Sequence, residues 1–197
     1  PLRISQGQLL HRNEPMGTLH GLMRARVFRQ DDAHIYLHED QIQEEIVRVM
    51  ELLKLIYSFF GLRYSITLST RPEDSMGEAA LWEKAEAGLR QALESLGLPY
   101  AVDAGGGAFY GPKIDVMVHD SMGRQWQCGT VQLDFNLPRR FELEFTDRDN
   151  QARTPVVIHR AMFGSVERFL GILIEHFAGA LPTWLAPVQV MVLPIAE

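Results

Sequence analysis

Apolar side chains recur at helical spacing between Gln41 and Phe60, where Ile42, Ile46, Val49, Met50, Leu53 and Ile56 fall on one face. Asp40 stands at the N-cap position, Gln43 where a capping-box partner belongs, and Gly61 as the stop. A second pattern of this kind runs from about Glu78 to Leu96, with Leu81, Ala85, Leu89, Ala92 and Leu96 aligned and Gly97 following. A third runs from about Ser165 to Phe177 and ends at Gly179. Between these helices the chain reads as strands at Tyr64–Ser69, Ile114–His119, Gln125–Phe135, Arg140–Thr146 and Pro155–His159. Ser121-Met122-Gly123 and Asp147-Arg148-Asp149-Asn150 are links short enough for antiparallel neighbours, whereas parallel neighbours need a long crossover. The predicted class is α+β, an antiparallel sheet flanked by helices.

The boundaries of this unit follow from the two ends. Pro1-Leu2-Arg3-Ile4 looks like the inside of a strand, as expected of a chain cut from something longer. Residues 1–183 read as one core, and 184–197 as a linker followed by the first strand of another domain at Val188–Pro194. Composition adds three constraints. Hydrophobic residues make up 46% and charged residues 22% of the 197, a globular balance. No run of 18 apolar residues is present, so no membrane span is expected. Cys128 is the only cysteine, which excludes a disulfide scaffold and makes a reducing, cytoplasmic compartment the expectation. A net charge of −6 confines any contact with RNA to a local basic patch.

Three stretches carry candidate chemistry. His11-Arg12-Asn13-Glu14-Pro15 and Arg24-Ala25-Arg26-Val27-Phe28-Arg29 flank a polar loop. Arginine forks suit phosphate oxygens, Glu14 can accept from an exocyclic amine, and Phe28 offers a flat face to a heteroaromatic ring. Those parts suit a nucleoside triphosphate without a P-loop, and an arginine-rich surface hairpin is the plainer alternative. Gln30-Asp31-Asp32-Ala33-His34 could hold a metal or a cationic substrate. His34 and His38 are spaced to share a face, and His159 sits in an apolar run, yet hydrogen-bonded core histidines would look the same. Gly105–Lys113 is glycine-rich, as a loop closing on a ligand or a flexible connection would be. Gln127, Thr130 and Gln132 put polar groups into an otherwise apolar strand, where either a ligand or an internal network must satisfy them.

Taken together these strings resemble the class II aminoacyl-tRNA synthetases. His11–Pro15 with Arg24 and Phe28 looks like motif 2, and Gly164-Ser165-Val166-Glu167-Arg168-Phe169 looks like motif 3. Gln30–Ile35, Leu68–Glu73, Gly107–Lys113, Gln127–Phe135 and Trp184–Val188 resemble the threonyl branch, in order along essentially the whole chain. The resemblance implies ATP-dependent activation of threonine to its adenylate and transfer to tRNA(Thr), with Mg2+ accompanying ATP and a homodimer as the full-length form. It implies that Arg12 grips the α-phosphate, Glu14 reads the adenine amine, Arg24 meets the γ-phosphate, and Phe28 and Arg168 sandwich adenine. Arg12 and Arg168 are thus the implied catalytic pair. Gln30 and Asp32 would line the threonine pocket, with Gln127, Thr130 and Gln132 around threonine or its adenylate and Tyr110 and Lys113 in the covering loop. His34 and His159 match two of three protein ligands of a zinc ion, the third being a cysteine upstream of motif 2 that this chain lacks. Such a zinc would separate threonine from valine, which has no hydroxyl to offer a metal. Motif 1 is also absent, and Ser5–Gln8, Val27 and Arg29 depart from the usual pattern. A class II enzyme for serine or proline, or a non-catalytic nucleotide- or tRNA-binding regulator, are the other readings.

Overall fold

The computed structural model describes residues 1–195. Its strands are β1 (Leu2–Gln6), β2 (Leu9–His11), β3 (Val27–Arg29), β4 (Asp32–Leu37), β5 (Arg63–Ser69), β6 (Ala101–Asp103), β7 (Lys113–His119), β8 (Gln125–Asp134), β9 (Phe145–Thr146), β10 (Ala152–Arg153) and β11 (Val156–Ala161). Its α-helices are α1 (Ile42–Phe59), α2 (Ala79–Ser95), α3 (Leu137–Arg140) and α4 (Val166–His176). Seven strands form one sheet in the order β1-β4-β11-β8-β7-β5-β6, and β2-β3 and β9-β10 are separate hairpins. Every neighbour in the large sheet is antiparallel except β5 and β6, which run parallel because the whole of α2 lies between them. No helix among the described residues is long and apolar enough to cross a membrane.

The sheet has two unlike faces because successive side chains alternate sides. Ile35, Ile158, Leu133, Val131, Ile114, Val116, Ile66 and Leu68 are all buried. Against them pack Ile46, Val49, Met50 and Leu53 of α1 and Ala85, Leu89 and Ala92 of α2, the positions whose helical spacing marked them as a core face. Gly129 lets α1 come close, since a Cβ there would lie 2.7 Å from Leu53 and 3.1 Å from Val116. Tyr57 anchors the end of α1 by donating its hydroxyl to the Met162 carbonyl at 2.7 Å. Arg3 of β1 reaches the buried Glu45 of α1, with Nε 2.9 Å from Oε2, so the edge strand is tied to the helix layer.

Two local expectations need correction. His38 caps the 3-10 turn Glu39–Gln41 that leads into α1, its ring accepting from the Asp40 N–H and its own N–H donating to Gln41 Oε1, while Gln41 at the N-cap of α1 itself makes no side-chain cap bond. Asp40 and Gln43 therefore do not form the capping box. Arg140–Thr146 is not a strand, because Leu137–Arg140 forms a helical turn after Asn136 and only Phe145–Thr146 pairs, with β10. Pro138 has no N–H to give a ladder, which favours the first turn of a helix. Val188–Pro194 pairs with no strand among the described residues and is exposed. The stops at Gly61, Gly97 and Gly179 all have positive φ, as C-terminal glycines do.

Candidate functional site

Strand register brings the candidate residues together on the face opposite the helices. His34 of β4 lies directly across from His159 of β11, His159 from Gln132 of β8, Gln132 from Lys113 of β7, and Lys113 from Ser69 of β5. One row of five strands thus carries His-His-Gln-Lys-Ser. The adjoining row on the same face holds Ala161, Thr130, Asp115 and Thr67, and Asp32 shares the face of His34 two residues away.

Two buried carboxylates organise this face, and neither was singled out from the sequence. Asp115 accepts from Ser69 Oγ at 2.9 Å, Gln127 Nε2 at 2.5 Å and Thr130 Oγ1 at 3.3 Å, and Lys113 Nζ stands 2.8 Å from it. A carboxylate accepts only, so Gln127 must turn its NH2 inward and its carbonyl outward. Asp134 takes the backbone N–H groups of Asn136 and Leu137 on Oδ1 and faces His159 Nε2 across 2.9 Å with Oδ2. The signal that could have found both is an acid inside an apolar strand, which must have partners to be buried.

The His34 and His159 rings stand edge to face with centroids 4.8 Å apart. Burial, together with the neighbouring His159, lowers the His34 pKa against the opposing pull of Asp32, which favours the neutral imidazole a metal requires. Among the described residues no three His, Cys, Asp or Glu side chains are grouped as a complete metal site. Two imidazoles at this separation are nitrogen donors of the kind zinc takes, and by themselves they make up only part of such a site. His38 sits elsewhere, with Nδ1 3.2 Å from Asp40 and Nε2 3.8 Å from Asp147. Cys128 points into the apolar core, where burial pushes its thiol up to about 12. It should resist a thiol-alkylating reagent at pH 8 in the folded protein and react once the protein is unfolded in urea; mass spectrometry after timed labelling checks this.

The loop before β7 is held by close backbone approach. Gly107 donates to the Thr70 carbonyl at 2.8 Å, and a Cβ on Gly111 would fall 2.2 Å from the Leu133 carbonyl oxygen. This sets Tyr110 over the row, its hydroxyl donating to Gln132 Oε1 at 2.5 Å and its ring 5.4 Å from that of His159. Burial and the charges of Asp134 and Asp32 push the Tyr110 phenol up to about 12, so it stays a donor at neutral pH.

The arginine hairpin lies beside this row. β2 and β3 pair antiparallel, with Leu10 opposite Phe28, and the Arg12 N–H donates to the Arg26 carbonyl at 2.8 Å. The Arg12 guanidinium is 5.1 Å from the Phe28 ring centre. Glu14 accepts from Arg24 Nε at 3.1 Å and Nη2 at 2.8 Å, and its carbonyl accepts from Arg26. Arg168, near the start of α4, joins hairpin to sheet by donating to the Met23 carbonyl at 2.8 Å and the Gln127 carbonyl at 2.9 Å. Ser165 caps that helix by accepting from the Arg168 N–H, and the Glu167 carboxylate takes the Arg29 N–H. Gln30 forms a bridge to Ser165. Arg168 thus links the hairpin to the sheet that carries the row, Glu14 and Arg24 are engaged with each other, and His38 lies apart.

Residues 1–177 match the family described as the tRNA synthetase class II core domain (G, H, P, S and T). A threonine–tRNA ligase of Thermotoga neapolitana is 58% identical over 197 residues, which is 100% of this chain and 31% of the relative. The corresponding ligase of Clostridium tetani is 56% identical over the same extent. The crystal structure of the RNA binding domain of threonyl-tRNA synthetase from Cryptosporidium parvum superposes with a TM-score of 0.92 at 48% identity, covering 95% of this chain and 47% of that one. The chain spans about a third of the length of the curated relatives it matches, at 31%.

Proposed function

This chain belongs to the class II tRNA synthetase core family, and from that premise we propose that the protein carrying it activates threonine with ATP and transfers it to tRNA. The observation that carries the reading is the single row in which His34, His159, Gln132 and Lys113 face the same side of the sheet, beside an arginine hairpin. In this reading Arg12 and Arg24 take the phosphates of Mg2+-bound ATP, and Phe28 and Arg168 enclose the adenine. An arginine fork matches phosphate geometry, and its fixed charge opposes the charge that builds at the reacting α-phosphorus. Glu14 gives up Arg24 to the nucleotide and becomes free to accept from the adenine amine. Asp32, Gln30, Thr130, Gln132 and the outward carbonyl of Gln127 surround the amino acid, and Tyr110 and Lys113 close over it.

His34 and His159 would hold a zinc ion in this reading, together with a ligand beyond this chain. Bound zinc would accept the amino nitrogen and hydroxyl oxygen of threonine and so disfavour valine. Asp32 and the loop carrying Tyr110 orient the substrate against that position and exclude water from it.

The test is amino-acid-dependent exchange of labelled pyrophosphate into ATP by the whole protein. Threonine should support exchange, with serine weaker and valine weaker still. Exchange driven by proline or serine but not threonine would overturn the assignment.

A further inference from the structure

We propose that Asp134 is a positioning residue: it fixes the proton of His159 on Nε2 and so leaves Nδ1 as the ring nitrogen able to ligate a metal. Asp134 is fully buried, at 0% exposed, at the end of β8. One of its oxygens is committed to the first N–H groups leading into α3, from Asn136 at 2.8 Å and Leu137 at 2.9 Å. The other lies 2.9 Å from His159 Nε2. A carboxylate offers only lone pairs, so this contact is a hydrogen bond only if Nε2 carries the proton. A neutral imidazole has one N–H, and the lone pair must then sit on Nδ1. The ring is also kept from turning over by its neighbours, His34 at 4.8 Å and Tyr110 at 5.4 Å between centroids.

The oxygen used by the helical turn and the oxygen used by His159 belong to one carboxylate. Orientation of the imidazole is therefore set by backbone geometry beyond the end of β8, with no freedom left for the Asp134 side chain. This is the arrangement by which carboxylates behind metal-bound histidines select a tautomer and raise ligand basicity. The inference rests on the reading of His34 and His159 as zinc ligands.

The isosteric substitution Asp134→Asn separates the two roles. Its amide oxygen can still accept from Asn136 and Leu137, which keeps the turn. Its NH2 then faces His159 and donates, so Nε2 must become the acceptor and the proton moves to Nδ1. Two measurements on the whole protein decide the matter. Zinc affinity is read by competition with a chelator, and the His159 tautomer is read from long-range proton–nitrogen NMR of the zinc-free, histidine-labelled protein. The expected results are Nε2–H in the parent, Nδ1–H in Asp134→Asn, and a zinc affinity lowered about 10- to 100-fold. Parent protein with Nδ1–H, or Asp134→Asn with unchanged zinc affinity, overturns the inference. If the parent binds no zinc, the reading of the site fails instead, while the tautomer still reports on Asp134. If Asp134→Asn does not fold, the tautomer of the parent alone decides.

Discussion

Replacing Arg12 by alanine in the whole protein is expected to slow threonine-dependent pyrophosphate exchange by on the order of 100-fold or more, with little change in thermal stability. The hairpin explains why the two effects part. The backbone of Arg12 holds the hairpin through its bond to Arg26, and alanine keeps that bond. The guanidinium lies exposed against Phe28, and among the described residues no carboxylate pairs with it. Exposed charges add little to stability. A free fork of donors fixed on a strand is, in contrast, what developing charge on a phosphate needs, and it costs no reorganisation when reaction occurs. Arg24 differs because Glu14 already holds it. The check is exchange rate against substrate concentration, beside a melting curve. A near-normal rate in Arg12→Ala would remove this residue from the chemistry.

The second large effect concerns choice among substrates. Replacing His34 by alanine is expected to lower the preference for threonine over valine by on the order of 100-fold, and a zinc chelator should do the same to the parent. A pocket of carbon atoms separates near-isosteric side chains poorly, whereas a site that binds the hydroxyl penalises its loss. The neutral state favoured for His34 gives the lone pair that a metal needs. Ratios of kcat/KM for the two amino acids, measured with zinc content, supply the test. Loss of zinc with the ratio intact would show that discrimination lies in Gln30, Asp32 and Gln132 instead.

How much of this was legible in the chain differs by length scale. Helix cores and their glycine stops repeat within a few residues, so α1, α2 and α4 were readable to within one or two positions. The cap at His38 was not, because histidine rarely takes that role and Asp40 beside it is the commoner choice. The strands with short turns, β7 and β8, were also readable, whereas the three residues of β6 are too few to show a period. The candidate residues could be named individually, but their alignment could not. His34 and His159 become neighbours only through the register of β4 and β11, which no local pattern encodes. Asp115 and Asp134 were missed because each lies within a strand that reads as core, and their partners come from other strands or from the turn beyond.

Alternation across the sheet gives the molecule a form of quality control. His159 and Ile158 are adjacent, one facing His34 and the other sealed with Ile35 and Leu133 beneath the helices. A slip of β11 by a single residue would pull Ile158 out of the core and push a histidine into it. Misaligned chemistry and a ruined interior are thus the same error. The cell needs no separate inspection of whether the two imidazoles meet, because a chain that fails it also exposes apolar surface and becomes a substrate for chaperones and proteases.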